Sequence, residues 1–253
     1  MKSLTKLFIP IALETLCYML AGMVDTMMLS TVGDNAVGAV GTANTYINVF
    51  IIMFSIVSSG MIAVMTQYIG AKRIGVAFQA RQLGAVLNLV LGVALSGFLF
   101  VFSGNVLEIV GVAPLLMGYA KTYLKIVGGF CFVNALIPIF SSYLRAFGYT
   151  KQPLIATVLS NVLNLCLNAV FLFVFHSGVA GVAAATVISR FLNLAIVIVA
   201  SKLLVKADKD PERLGNKEVF AQIIKVGLPS AMETAFYNVA MTLTIRFLNQ
   251  MDD

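Results

Sequence analysis

The chain reads as an all-α integral membrane protein, a six-helix lobe followed by the first helix of a second, repeated lobe. Three observations predict this. Hydrophobic residues make up 60% of the 253 residues and charged residues 11%, with mean hydropathy +0.95. A soluble domain carries roughly 25% charge. The apolar residues come in runs of about 20–30, the length of spanning helices, not the roughly ten-residue alternating strands of a membrane barrel. The stretch Pro10-Ile-Ala-Leu-Glu14-Thr15-Leu-Cys-Tyr18 also returns as Pro229-Ser-Ala-Met-Glu233-Thr234-Ala-Phe-Tyr237, with five of nine positions identical. A membrane chain that begins a second copy of itself is usually built from two repeats.

Seven spanning helices are expected, at 7–30, 42–69, 82–103, 119–144, 153–175, 179–203 and 219–248. The first carries Glu14 and Asp25 and lacks a small-residue cleavage site, so it reads as a mature helix and not a signal peptide. Eleven residues are almost three helical turns, so Glu14 and Asp25 share a face with Tyr18, about 16 Å apart along the axis. Intramembrane acids are costly and commonly face a cavity or a partner. Asp25 is the foremost candidate, against a plain helix-end acid in the outer headgroup layer. Glu14 and its repeat counterpart Glu233 are candidate cavity acids, although Glu14 also sits where a carboxylate favours a helix N-terminus. Met19, Met23, Met27 and Met28 suit either a deformable cavity wall or a lipid-facing surface. Trp is absent, which leaves Phe, Tyr and Met as cavity walls.

The second helix is followed by Gln67-Tyr-Ile-Gly70-Ala-Lys72-Arg73. Pro138 gives the fourth a point at which to kink. The fifth is polar on one side: Ser160, Asn161, Asn164 and Asn168 recur at spacings of three and four. Asn164 and Asn168 stack one turn apart, fit either to help hold a cation or protonated carboxyl or to bridge helices. The sixth opens Gly178-Val-Ala-Gly181-Val-Ala-Ala-Ala-Thr186, small residues that allow close helix packing, with Thr186 as a possible site hydroxyl.

These helices divide the chain into residues 1–204 as a complete lobe, 205–218 as a polar cytoplasmic linker, and 219–253 as the first helix of a C-terminal lobe that is otherwise missing. With a cytoplasmic N-terminus, the inner side holds Lys2, Lys6, Lys72, Arg73, Arg81, Arg145, Lys151, Lys202, Lys206, Lys209, Arg213, Lys217 and Lys225. The outer side holds only Lys121 and Lys125, while Arg190 and Arg246 fall within helices near their ends. This asymmetry obeys the positive-inside rule. It also accounts for the net charge of +6 without nucleic acid. The expected location is the cell membrane, multi-pass, with the lipid bilayer as a partner.

No enzyme signature is present. The single histidine, His176, has no ligand-spaced neighbour, and the chain contains no phosphate-binding Gly-Lys-Ser/Thr loop, Gly-x-Ser-x-Gly elbow or His-Glu-x-x-His motif. Cys17, Cys131 and Cys166 form neither a metal pattern nor a disulfide framework and read as packing residues. No catalytic residue and no cofactor are expected.

Taken together, Pro10-x3-Glu14 with Met23-Val-Asp25-Thr26, the Gln67–Arg73 turn, and Arg145-Ala-Phe-Gly148-Tyr-Thr150-Lys-Gln-Pro153 continuing through Asn161, Asn164, Asn168 and Gly178–Thr186 resemble the multidrug and toxic compound extrusion (MATE) transporters. The resemblance covers essentially the whole chain. It implies part of a twelve-helix transporter of two lobes around a cleft, working by alternating access. It implies antiport, with organic cations or other amphipathic drugs leaving as protons or sodium ions enter. It also implies a coupling-ion site at Asp25, Asn164, Asn168 and Thr186. Apart from the resemblance, Glu14, Tyr18, Asp25, Asn161 and Glu233 are the candidate cavity and substrate-facing residues; another MATE branch places a coupling Glu deeper in the seventh helix, where this chain has Tyr237, so that role does not pass to Glu233. One departure matters: the second fifth-helix position is often Asp in the branch this chain resembles and is Asn168 here, which leans toward proton coupling. Two other readings stand beside it. One is a lipid-linked oligosaccharide flippase, which needs several cationic cavity residues where the intramembrane charges here read as mainly acidic. The other is an inactive truncated membrane fragment. The repeat itself is asymmetric, because Thr244 stands where the first copy has Asp25.

Overall fold

The computed structural model describes residues 4–109, 111–205 and 213–251. Within the expected linker, residues 206–212 lie outside the described residues. Thr234, Tyr237, Thr244 and Arg246 lie outside those whose side chains are described.

All regular structure among the described residues is helical. The elements are α1 (Leu4–Ser30), α2 (Asp34–Gly70), α3 (Ile74–Ile109), α4 (Pro114–Gly129), α5 (Cys131–Ala146), α6 (Lys151–Ala169), which widens into a π-helical turn at Val170–Val174, α7 (Gly178–Leu204) and α8 (Asn216–Met251). Five of them are long and apolar enough to cross a membrane, and α4 with α5 counts as a sixth span. The helix expected at 219–248 forms as α8, which is not among these spans within the described residues.

Two expectations need correction. Helices α2 and α3 begin eight residues earlier than the apolar runs at 42 and 82. Hydropathy marks only what lies in hydrocarbon, whereas a helix continues until its ends are satisfied. Asp34 in the first turn of α2 is the acid that a helix N-terminus favours. The fourth span does not bend at Pro138, which sits inside α5. It breaks nine residues earlier, at Gly129–Phe130, with a bend of 47°. The break frees backbone N–H groups, and that of Phe132 donates to Ser96 Oγ on α3 at 3.0 Å. A neighbouring helix thus makes the break tolerable in lipid.

The apolar core is split in two. One cluster gathers Met61, Met65, Val76, Ile139, Leu144, Val197 and Ile223 at one end of the bundle. The other gathers Leu29, Ala43, Leu99, Leu107, Leu124, Val182 and Ala183 at the opposite end. Between them the buried Asn88 amide of α3 donates to the carbonyls of Phe54 (3.2 Å) and Ala135 (2.9 Å), tying α3 to α2 and α5.

Helix α8 lies along α2 and touches α3. Gly60 and Gly227 form the crossing: a Cβ at Gly60 would meet the Ile223 carbonyl, and one at Gly227 the Ile56 carbonyl. The approach to α8 is docked on α3 by Gln79, whose amide donates to Leu214 O (2.8 Å) and Asn216 Oδ1 (2.6 Å). Helix α1 is held mainly by α6. Its other side leaves Phe8, Leu16, Met19, Met23 and Met27 exposed. The packing reading of the cysteines fits the fully buried Cys131, while Cys166 is exposed.

Candidate functional site

A polar cavity of about 590 Å³ is walled by α1, α2, α4, α5, α6 and α7. The side chains reach it by helical spacing. On α1, Glu14, Tyr18 and Asp25 follow at four and seven residues and line it together, as their shared face requires. On α6, Ser160, Asn161 and Asn164 line it; on α7, Thr186, Ser189 and Arg190 do so.

Asp25 is half-buried and accepts a hydrogen bond from Asn168 Nδ2 at 2.7 Å. The same amide group stands 3.3 Å from Asn164 Oδ1, giving a chain from α1 into two turns of α6. Asn168 is fully buried, and its Oδ1 has no hydrogen-bond partner among the described residues. A buried acceptor without a partner is costly, and here it lies beside a carboxylate. One residue further on, Ala169 leads into the π-helical turn, a local distortion frequent at functional sites. Thr186 lines the cavity but spends its hydroxyl on Val182 O, one turn back on its own helix (2.9 Å). Asn161 donates to Cys17 O at 3.0 Å and so bridges α6 to α1 while also lining the cavity. Among the described residues, no three His, Cys, Asp or Glu side chains gather as a metal-ligand set. Any cation at Asp25 would find one carboxylate among amides and hydroxyls.

Glu14 is 4% exposed and accepts from Arg145 Nη2 at 2.7 Å, an ion pair between α1 and the last turn of α5. Glu233 is exposed on α8 and does not line the cavity.

The charge pattern departs from expectation. Arg145, assigned to the inner loops, lies at the cavity wall with its guanidinium on Glu14. Arg190, expected near a helix end, stands in the middle of α7, lines the cavity, and lays its guanidinium over the Tyr18 ring at 5.4 Å. The cavity therefore holds two acids and two arginines, not mainly acids. Asn44 and Asn48 on α2, Tyr123 on α4, and Asn134 and Ser141 on α5 also line it and were not foreseen. Helical spacing was the available signal. Asn44 and Asn48 stand four residues apart, as do Thr186 and Arg190, and Asn134, Ser141 and Arg145 fall at seven and four.

Membrane-length helices packed around a charge-lined cavity define the chain as a multi-pass, all-helical membrane protein. Residues 10–170 match the MatE family, and the chain belongs to that family. It is 35% identical over 252 residues to an uncharacterized transporter, YisQ, of Bacillus subtilis, covering 97% of this chain and 55% of that one. It is 28% identical over 267 residues to the probable multidrug resistance protein NorM of Thermotoga maritima, covering 98% and 54%. The crystal structure of a MATE protein in the straight conformation superposes with TM-score 0.82 at 22% identity, covering 96% of this chain and 57% of that one. An outward-facing multidrug resistance MATE family transporter gives 0.81 at 22%, covering 94% and 53%. The chain spans about half the length of the curated relatives it matches.

Proposed function

We propose that the full-length protein is a secondary antiporter that exports small amphipathic or cationic molecules in exchange for inward-moving protons or sodium ions. In this reading residues 1–204 form one lobe and α8 opens a second, with 205–218 the linker between them. The N-terminus is cytoplasmic, on the strength of the lysine and arginine asymmetry. The relatives named as probable multidrug resistance proteins support the substrate class.

The observation that carries the proposal is the Asp25–Asn168 contact, with its unpartnered Asn168 oxygen, on the two helices that hold each other. A charged carboxylate strengthens the amide bond it accepts. A proton on Asp25 removes that charge, weakens the link from α1 to α6, and withdraws the negative site that attracts a substrate cation. Beyond α6, helix α1 is restrained chiefly by the Glu14–Arg145 pair in its first half, so its Asp25 end is the part free to shift. Exchange requires only that ion and substrate oppose each other's binding, and this coupling is reciprocal. A single acid among neutral amides favours the proton over sodium as the coupling ion. The flippase reading gains less from the two arginines than their number implies. Arg145 is neutralised by Glu14, leaving one unpaired guanidinium for a pyrophosphate.

The test is substrate movement into or out of proteoliposomes containing the full-length protein, under an imposed proton or sodium gradient. Asp25→Asn is expected to abolish gradient-driven export while leaving the protein folded. Undiminished exchange in that variant would remove Asp25 from the coupling site.

A further inference from the structure

We propose that Arg190 is the anion-recognition residue of the cavity, binding a carboxylate carried by the transported molecule. The inference rests on the transport reading above and names a substrate class for it, namely amphipaths bearing a carboxylate beside an apolar or cationic body.

Four charged side chains line the cavity, and they are not equivalent. Glu14 and Arg145 satisfy each other at 2.7 Å. Asp25 has Asn168 as its hydrogen-bond donor. Arg190 alone of the four has neither an ion pair nor a hydrogen bond among the described residues. Among the described residues, no carboxylate oxygen comes within ion-pair distance of it. A guanidinium in the middle of a membrane helix is costly, and where one occurs it commonly serves a ligand or a pathway.

Its surroundings prepare it for such a ligand. The guanidinium carbon lies over the Tyr18 ring, 5.4 Å from its centroid. The ring attracts the cation without taking up its N–H donors, and those donors, in their planar fork, match a carboxylate in two parallel bonds. Asn134 from α5 lines the same cavity and adds a neutral hydrogen-bonding group, whereas the Ser189 hydroxyl is spent on Ala185 O at 2.7 Å. Asp25, on the facing helix, supplies the opposite charge for an amine elsewhere on the same molecule. The volume of about 590 Å³ accepts a drug-sized ligand.

The sign of coupling is consistent with export. A simple anion on Arg190 would bind better once Asp25 is neutralised, which favours movement in the same direction as the ion. A molecule that also carries a cation loses its attraction to Asp25 on neutralisation and is released, as antiport requires.

The experiment uses two dyes identical save for one group: a rhodamine with a free carboxyl and its methyl ester. Equilibrium binding of each to the purified full-length protein is read by fluorescence anisotropy, with thermal unfolding as the check on folding. The native protein is expected to bind the free acid. Arg190→Gln should weaken that binding about tenfold or more, the worth of a charge-assisted hydrogen bond. The ester should stay within about threefold of its native affinity. Arg190→Lys should retain part of the preference, because it keeps the charge and loses the fork. The inference is overturned if the native protein does not bind the acid, if Arg190→Gln leaves the acid's affinity unchanged, or if it weakens acid and ester equally. Failure of the transport reading is a separate result, seen as no ion-driven dye movement in liposomes whatever the equilibrium preference at Arg190.

Discussion

The Glu14–Arg145 pair makes the sharpest stability prediction. Removing one partner of a buried ion pair costs about 3–5 kcal/mol, because the other charge is left uncompensated. The two sides are unequal here. The Glu14 side chain is 5% exposed and that of Arg145 is 26% exposed. Arg145→Gln strands the deeper charge, and a cost of about 2–3 kcal/mol is expected after allowing for the partner's access to the cavity. Glu14→Gln strands an arginine that still reaches water, at about 1–2 kcal/mol. The double variant leaves two neutral amides able to bond each other, so it should be less damaged than the sum of the singles, with a coupling energy of about 2 kcal/mol. Thermal unfolding of the purified full-length protein in detergent is the assay. At roughly 2–4 °C per kcal/mol for a chain of 150–250 residues, and less for a longer one, Arg145→Gln should lower Tm by about 5 °C. Single-variant effects that add within about 0.5 kcal/mol would refute the pairing.

Two further outcomes follow from particular contacts. Gly227→Val places a side chain against the Ile56 carbonyl and should destabilise the α2–α8 crossing by about 1–3 kcal/mol or more; an unchanged Tm and expression level would mean that the helices do not cross there. Asn168→Asp adds a second acid beside Asp25 and should shift export toward sodium dependence, measured as sodium-stimulated substrate movement at fixed pH. If the variant's proton and sodium responses match the native protein's, Asn168 does not set ion choice.

The helices were legible because hydrophobicity over some twenty residues is a strong and local signal. The unforeseen break at Gly129–Phe130 was not, because nothing in one strand of sequence shows that Ser96, on another helix, will accept the Phe132 amide. The site followed the same division. Asp25, Glu14 and Tyr18 share a face by spacing alone, and all three line the cavity. Asn161, Asn164 and Asn168 were legible as a polar stripe, but not as one bridge to a Cys17 carbonyl and one donor to Asp25. Glu233 matches Glu14 by repeat yet is exposed, because sequence symmetry does not show which neighbours cover a helix.

The arginines show why position along a helix is a poor guide to the depth of a charge. Side chains on an α-helix tilt toward its N-terminus. A charge in the last turn is therefore aimed back along its own helix, into the bundle, whereas one in the first turn is aimed out. Arg145, in the last turn of α5, reads as a loop charge by residue number and as an interior charge by direction. Glu14, almost three turns into α1, tilts toward the N-terminus of its own helix by the same rule, and the two side chains meet at 2.7 Å. Counting lysines and arginines by loop fixes orientation, since many charges vote together. Assigning any one of them to water or to a cavity requires its direction as well: direction makes Arg145, an apparent loop cation, a cavity residue, whereas Arg190 is one by its place in the middle of α7.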